Sequence, residues 1–161
     1  MLARRWSRRW TSARRRLRTP RDMWLFTRMI CWGAALRLLK HLVPLRALVR
    51  LVRRTPARAV STPTEEEQVT TLARWACGLT QWSRHGNCLE RALVTYRYLS
   101  SLNADPSLVV GVRAGEGGGA RGHAWVQARG RLVGEGPESI EPFTRVLAFD
   151  ARGGVAADRR T

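Results

Sequence analysis

The sequence predicts an α+β domain in which helices precede a small antiparallel sheet, and two observations carry that prediction. Apolar residues recur with helical spacing over residues 23–103, interrupted at Pro44 and at a linker over residues 55–64. From residue 108 onward, short apolar stretches alternate with glycine-rich ones, as is typical of strands and hairpins. A chain of 161 residues is long enough for one domain with a complete core.

The positive charge is concentrated in the first third of the chain. The net charge is +17, but residues 1–60 hold 17 Lys and Arg against one acid, whereas residues 61–161 hold 12 Arg against 11 acids. We therefore expect a basic, disordered tail over residues 1–22, a helical segment and linker over 23–60, and a nearly neutral domain over 61–161. No nucleic-acid partner is expected for that neutral domain.

Two short amphipathic helices are predicted on either side of Pro44. Their apolar faces are Leu36, Leu39, Leu42 and Val43 before the proline, and Leu45, Leu48, Val49 and Val52 after it. These faces need a cover, for which the candidates are the rest of the chain, a partner protein or a peripheral membrane contact; packing on the C-terminal domain is the expectation. The longest uncharged stretch within residues 1–60 is residues 29–36, which is far shorter than the roughly 20 residues of a membrane span.

A third helix is predicted from Pro63, because Thr62 and Glu65 form a capping-box pattern at its start. A fourth is predicted from Cys88 to about Asn103. Asn87 is its expected N-cap, and Glu90 is expected to complete a second capping box. The predicted core face of the fourth helix is Leu89, Ala92, Leu93, Tyr96 and Leu99, whereas Glu90, Arg91 and Arg97 are expected to point away from the core.

The following segment predicts a strand over residues 108–112, a flexible loop over 115–122 and a hairpin with strands 123–127 and 131–135. A three-residue turn, Ala128-Arg129-Gly130, would pair residue 127 with 131 and therefore His123 with Glu135. A two-residue turn would instead place Glu135 opposite Ala124, on the other face of the sheet.

These placements bring together three groups with complementary chemistry. Cys88 lies at a helix start, where the positive end of the helix dipole favours the nucleophilic thiolate. His123 can act as base and then acid, and Glu135 can hold the second ring nitrogen. Taken singly, each residue has an ordinary alternative: a buried structural cysteine, a strand histidine and a solvated acid. Their combination predicts a cysteine nucleophile with a His–acid pair.

The cysteines and histidines also exclude other classes of site. Three cysteines without a CxxC pair leave at least one unpaired, which favours a reducing, cytoplasmic environment. Neither the cysteines nor the histidines cluster with the spacing of metal ligands, so no metal is expected. They are Cys31, Cys77, Cys88, His41, His85 and His123.

The motifs around these residues resemble the transglutaminase-like leader peptidases of lasso-peptide biosynthesis. The resemblance covers about residues 65–140 and rests on CLERALVTYRYL, which begins at Cys88, on the strand that ends in VGVR, and on GHAWV and GRLVGE. It implies a papain-like, transglutaminase-like core over residues 61–161, with the nucleophile helix packed on a small antiparallel sheet.

The resemblance further implies that such a cysteine peptidase removes the leader from a ribosomally made precursor. The implied partners are the precursor leader peptide, a leader-binding recognition protein and a lasso cyclase that joins the new amino terminus to an acidic side chain. By motif position, Cys88 is the nucleophile and His123 the base. No cofactor is expected, since ATP dependence claimed for some relatives has no motif in this chain.

Several site assignments stay open at the level of sequence. The acid expected after GHAWV is Asp in the family pattern but Glu135 here, and Glu138 and Glu141 are the fallbacks. Gln81 is a candidate oxyanion donor, and His85 and Trp125 are candidates for the substrate-binding rim. Two other functions compete: a transglutaminase-like acyl transferase or cross-linker, and a non-catalytic Arg-rich module that binds nucleic acid or membrane.

Overall fold

The computed structural model describes residues 19–56, 59–79, 87–115 and 118–156. Helices α1 to α4 span Pro20–Leu42, Leu45–Val52, Pro63–Leu79 and Cys88–Ser101, and strands β1 to β4 span Pro106–Ala114, Ala120–Ala128, Arg131–Val133 and Thr144–Phe149, with a 3₁₀ turn at Pro137–Ser139. The strands form an antiparallel sheet in the order β3-β2-β1-β4. The predicted α+β class is confirmed, and β4 is an element that the sequence patterns did not predict.

The first helix, α1, begins at Pro20, three residues before the apolar pattern that starts at residue 23. Asp22 donates its backbone N–H to Thr19 Oγ1 at 3.1 Å, and its carboxylate accepts from the Thr19 N–H at 3.2 Å, which makes a capping box. Pro20 fits the first turn because the missing N–H has no partner there in any helix. The predicted break at Pro44 is confirmed, since α1 ends at Leu42 and α2 begins at Leu45.

Helices α1 and α2 belong to the same core as the rest of the domain. Met29 and Leu36 of α1, and Val49 and Val52 of α2, are fully buried in one cluster with side chains of α3, α4 and the sheet. The expected packing on the C-terminal domain is therefore what the structure shows. Leu42 is the exception: it is 78% exposed, because six residues after Leu36 the helix has turned about 120° away from the buried face.

Helix α4 is the central helix and is buried almost all round, so the prediction that Glu90 and Arg97 point away from the core is wrong. Glu90 accepts from Lys40 Nζ of α1 at 2.8 Å. Arg97 donates to the Val52 carbonyl at 3.0 Å and stacks its guanidinium on the Trp32 ring, 3.9 Å from the ring centre. Helices on one side and the sheet on the other leave α4 no solvent face, so Glu90 is held by an ion pair and Arg97 by a carbonyl and an aromatic ring.

The turn between β2 and β3 has two residues, so the predicted three-residue turn is wrong. Ala128 pairs with Arg131, and the two residues between them, Arg129 and Gly130, have φ of 49° and 77°. Positive φ at both positions is the signature of a type I′ turn. The arginine tolerates it because its side chain pairs with buried Glu66 and donates to Ser61 Oγ at 3.0 Å.

The glycine-rich segment predicted as a loop over residues 115–122 is shorter than expected, because its last three residues belong to β2, which begins at Ala120. The β1–β2 ladder runs without interruption to the pair Ala114↔Ala120. Gly115 donates its N–H to the Gly119 carbonyl at 2.6 Å and so continues the ladder pattern into the connection. His123 consequently lies well inside β2 and is held by its neighbour β1.

Gly111 provides a test of the packing on the outer face of the sheet. A Cβ at this position would lie 2.8 Å from two ring atoms of Trp125 and 3.0 Å from Phe143 Cβ. We expect Gly111→Ala to lower the free energy of unfolding by about 1–3 kcal/mol, measured by urea titration. Gly122→Ala is the matched control on the paired strand, since its Cβ would meet nothing closer than 4.0 Å. Equal stabilities for the two variants would contradict this packing.

Candidate active site

Cys88 is the first residue of α4, and the turn that it opens lacks a side-chain cap. Asn87 donates its side-chain amide to the Cys77 carbonyl at 2.8 Å, and Glu90 is drawn to Lys40. The predicted capping box is therefore wrong, and no side chain among the described residues accepts a hydrogen bond at this N-terminus. The first-turn N–H groups beside the half-buried thiol can donate hydrogen bonds to an oxygen of a ligand.

His123 and Glu135 form the central contact of the site. His123 Nε2 and Glu135 Oε2 lie 2.7 Å apart, with the side chains 17% and 11% exposed. Because a carboxylate can only accept, the ring nitrogen that faces it carries the proton. Nδ1 is then the nitrogen that can take a proton from a thiol.

His123 and Glu135 are in contact although the strand register that predicted this contact is not the one observed. The β2–β3 ladder follows the two-residue turn and ends at Val126↔Val133. Continued to Glu135, this register would place the carboxylate opposite Ala124. Gly134 has φ of 77° and turns the chain out of the strand, which brings Glu135 to the open edge of β2 beside His123.

Three further side chains hold the segment that carries Glu135. Arg91 of α4 forms an ion pair with Glu135 Oε1. Ser139 Oγ donates to Glu135 Oε2 at 3.1 Å, and Arg74 of α3 donates to the Gly134 carbonyl. The carboxylate is thus fixed on both oxygens, one facing the helices and the other facing His123.

The ion pair between Arg91 and Glu135 also connects the His123–Glu135 contact to the helix that begins at Cys88. Arg91 follows Cys88 by three residues, and residues three apart are neighbours on one side of a helix. The Glu135 carboxylate therefore joins the side of α4 that carries the thiol to the strand that carries the imidazole. Among the described residues, His123 and Glu135 are in contact, whereas no hydrogen bond joins Cys88 to either of them.

Aromatic rings support the imidazole on the outer face of the sheet. The ring centres of Phe143 and Trp125 lie 5.1 and 6.0 Å from that of His123. Trp125 is only 5% exposed and packs with Val109 and Ala148. The prediction that Trp125 lies on a substrate-binding rim is therefore wrong. Side chains alternate along β2, so Trp125 lies two residues from His123 on the same covered face and packs near the imidazole.

The remaining candidates from the sequence have different outcomes. Glu138 and Glu141 are exposed, and neither is hydrogen-bonded to His123. Gln81 and His85 lie outside the described residues. Arg74, Arg91 and Ser139 were missed as site residues; the spacing of Arg91 from Cys88 was the one signal that could have indicated its role.

Cys77 differs from Cys88 in its surroundings. It is fully buried, and burial, with a smaller contribution from the charge of Glu90, raises its pKa to about 12. The Cys77 thiol therefore stays protonated in the folded protein at neutral pH. Because the folded-state pKa lies above the ordinary value of 9.0, Cys77 favours the folded state below pH 9, and this contribution is lost as the pH rises toward 12.

A cysteine at the start of a helix, packed on an antiparallel sheet that carries a His–acid pair, is compatible with a fold of the cysteine-protease and acyltransferase type. The chain belongs to the transglutaminase-like superfamily, whose family model matches residues 29–148. No curated protein and no solved structure gives a significant match to the chain.

Two searches of the described residues were negative. No helix among them is long and apolar enough to cross a membrane. Within the same residues, no group of three or more His, Cys, Asp or Glu side chains is placed to hold a metal ion.

The two cysteines can be distinguished by alkylation. In a Cys31→Ser protein treated with iodoacetamide at pH 7.5, we expect one adduct by mass spectrometry, on the peptide that contains Cys88, because the Cys77 thiol is buried and protonated. The same protein in urea should gain two adducts. Modification of Cys77 at the rate of Cys88 in the folded protein would contradict the site described above.

Proposed function

We propose that this protein is a cysteine peptidase that removes the leader from a lasso-peptide precursor, with Cys88 as nucleophile, His123 as general base and acid, and Glu135 as the orienting acid. The contact between His123 Nε2 and Glu135 Oε2 at 2.7 Å is the observation that carries the proposal. It supplies the orienter–base half of a triad, and Cys88 supplies a nucleophile at the helix to which Glu135 is tied through Arg91.

Acylation begins with transfer of the Cys88 thiol proton to His123 Nδ1 and attack of the sulfur on the scissile carbonyl carbon. The carbonyl oxygen becomes an oxyanion, for which the Cys88 backbone N–H at the uncapped start of α4 is the donor. The imidazolium then protonates the leaving amine, which is the new amino terminus of the core peptide. The leader remains on the enzyme as a thioester of Cys88.

Deacylation repeats these steps with water as nucleophile. His123 Nδ1 takes a proton from water, the hydroxide attacks the thioester carbonyl, and the sulfur leaves and regains a proton. Glu135 keeps Nε2 protonated throughout and stabilises the imidazolium as it forms. Arg91 and Ser139 hold the carboxylate in place during both steps.

The leader-peptide substrate rests on the motif resemblance together with the family. CLERALVTYRYL and GHAWV resemble the motifs of leader peptidases of this type, and they lie on α4 and β2, the two elements that carry Cys88 and His123. A leader-binding recognition protein would present the precursor, and a cyclase would use the released amino terminus. In this proposal Glu135 takes the place of the Asp in the family pattern, and the turn at Gly134 supports that role because the carboxylate lies beside His123.

A transglutaminase-like acyl transfer is the second candidate, because the same thioester can react with an amine instead of water. The superfamily and the Cys–His–acid arrangement are compatible with both. Mass spectrometry of the products separates them: hydrolysis adds one water across the cleaved bond, whereas transfer releases ammonia or an amine and forms a new amide.

The nucleophile is tested directly by substitution. Cys88→Ala, incubated with precursor and leader-binding protein, should give no detectable leader removal, because no thioester can form. Cys77→Ala is the matched control and should retain activity after folding is verified by circular dichroism. Normal cleavage by the Cys88→Ala protein would refute the proposal.

Glu135 is tested against a neighbouring acid. Glu135→Gln keeps the shape of the side chain but removes its charge, and we expect kcat/KM to fall about 10²–10⁴-fold. Glu138→Gln, the same change on an exposed acid three residues along the chain, should stay near wild type. If Glu138→Gln is the variant that loses activity, the orienting acid has been assigned to the wrong residue.

Arg91 is expected to act through Glu135 as a positioning residue. Arg91→Met should lower kcat roughly 10- to 100-fold with little change in KM, because the carboxylate loses the partner that fixes it. Arg91→Lys should recover part of the loss, and Arg145→Met is the control at an exposed arginine of β4. A rise in KM at unchanged kcat would instead assign Arg91 to substrate binding.

A further inference from the structure

Helix α1 presents a second apolar face to solvent. We define the outer stripe as Trp24, Thr27, Cys31, Ala34, Leu38 and Leu42, which are all exposed and recur three or four residues apart. Trp24, Leu38 and Leu42 are 61%, 68% and 78% exposed. The stripe contains no charged residue and extends about 27 Å along the helix. Helix α1 is therefore apolar on two sides, one facing the core and one facing solvent.

The surroundings of the outer stripe carry charge of one sign. Arg28 lies beside it, with its guanidinium 4.3 Å from the centre of the Trp24 ring, and Arg37 lies on the other flank. Residues 19–56 hold eight basic side chains against a single acid, Asp22. A further eight arginines precede α1 in residues 1–18. The described part of α1 thus exposes an apolar strip with a cationic border.

We propose that the outer stripe is a docking surface for an anionic lipid membrane, on which α1 lies parallel to the bilayer. Helices that bind at the membrane interface insert apolar side chains, tryptophan and leucine among them, and place Lys and Arg at the level of the headgroups. The outer stripe and its arginines have this arrangement. The proposal is independent of the peptidase assignment, because no residue of the stripe belongs to the site around His123.

Charge also decides against a second copy of this chain as the occupant. Two copies that packed stripe to stripe would bring two strongly positive surfaces together, and like charges at an interface are unfavourable. An anionic bilayer complements both the charge and the straight, uninterrupted apolar strip. A membrane contact would hold the protein at the lipid surface by a few inserted side chains, without any spanning segment.

The test compares vesicle binding by two double variants of the full-length chain. Leu38→Glu/Leu42→Glu changes the outer stripe, and Val146→Glu/Val155→Glu makes the same chemical change at exposed valines near the C-terminus, 55% and 49% exposed. Thermal melts verify that both fold. With phosphatidylglycerol/phosphatidylcholine vesicles, we expect the wild type and the valine variant to co-sediment and the stripe variant to bind at least tenfold more weakly. Binding should weaken with added salt and be minimal on pure phosphatidylcholine.

Cys31 reports whether the stripe itself meets the lipid. In a Cys88→Ser protein, an environment-sensitive fluorophore attached to exposed Cys31 should shift its emission to the blue on anionic vesicles. A wild type that stays in the supernatant overturns the proposal, whichever protein covers the stripe. Equal binding of both double variants to the vesicles would also overturn it, as would sedimentation without a shift of the emission. A dimer seen by light scattering that only the stripe variant loses would assign the stripe to a second copy of this chain and would overturn the proposal too.

Discussion

The Glu135 carboxylate is the group on which the arrangement of this domain depends. One oxygen is paired with Arg91 on the central helix and the other accepts from His123 and Ser139, so a single side chain connects helix, strand and the segment after the hairpin. A carboxylate that is held on both oxygens has little freedom to rotate. The orientation of the His123 imidazole therefore depends on the packing of α4, through the ion pair between Arg91 and Glu135. This ion pair also determines in which direction Nδ1 of the imidazole points.

The sequence was sufficient for the class of fold and for the pairing of His123 with Glu135, but not for the path by which they meet. The turn patterns favoured three residues because a non-glycine residue with positive φ is unfavourable. Arg129 adopts that conformation through long-range partners, Glu66 and Ser61, which no local pattern reveals. The change of chain direction at Gly134 then brings Glu135 back to His123. The unexpected two-residue turn and this unexpected change of direction therefore compensate each other.

The burial of α4 shows a second limit of periodicity. An amphipathic pattern predicts one buried face, yet Glu90 and Arg97 are buried on the opposite side because α1 and α2 cover it. Charged residues on a helix indicate a solvent-exposed face only when no other part of the protein provides them with a polar or aromatic partner. Here Lys40 and Trp32 of α1 provide those partners, and they lie in the basic segment over residues 23–60, outside the neutral domain predicted over 61–161.

The Arg97 guanidinium, held between Trp32 and the Val52 carbonyl, has a consequence for how this chain folds. Removal of the N-terminal helices would take away both the stacking ring and the acceptor of Arg97 and would uncover the side of α4 that they bury, on the same helix whose first residue is Cys88. We therefore expect that the N-terminal helices do not fold as a module independent of the rest of the domain. We expect folding cooperativity to link them to the helix that carries Cys88.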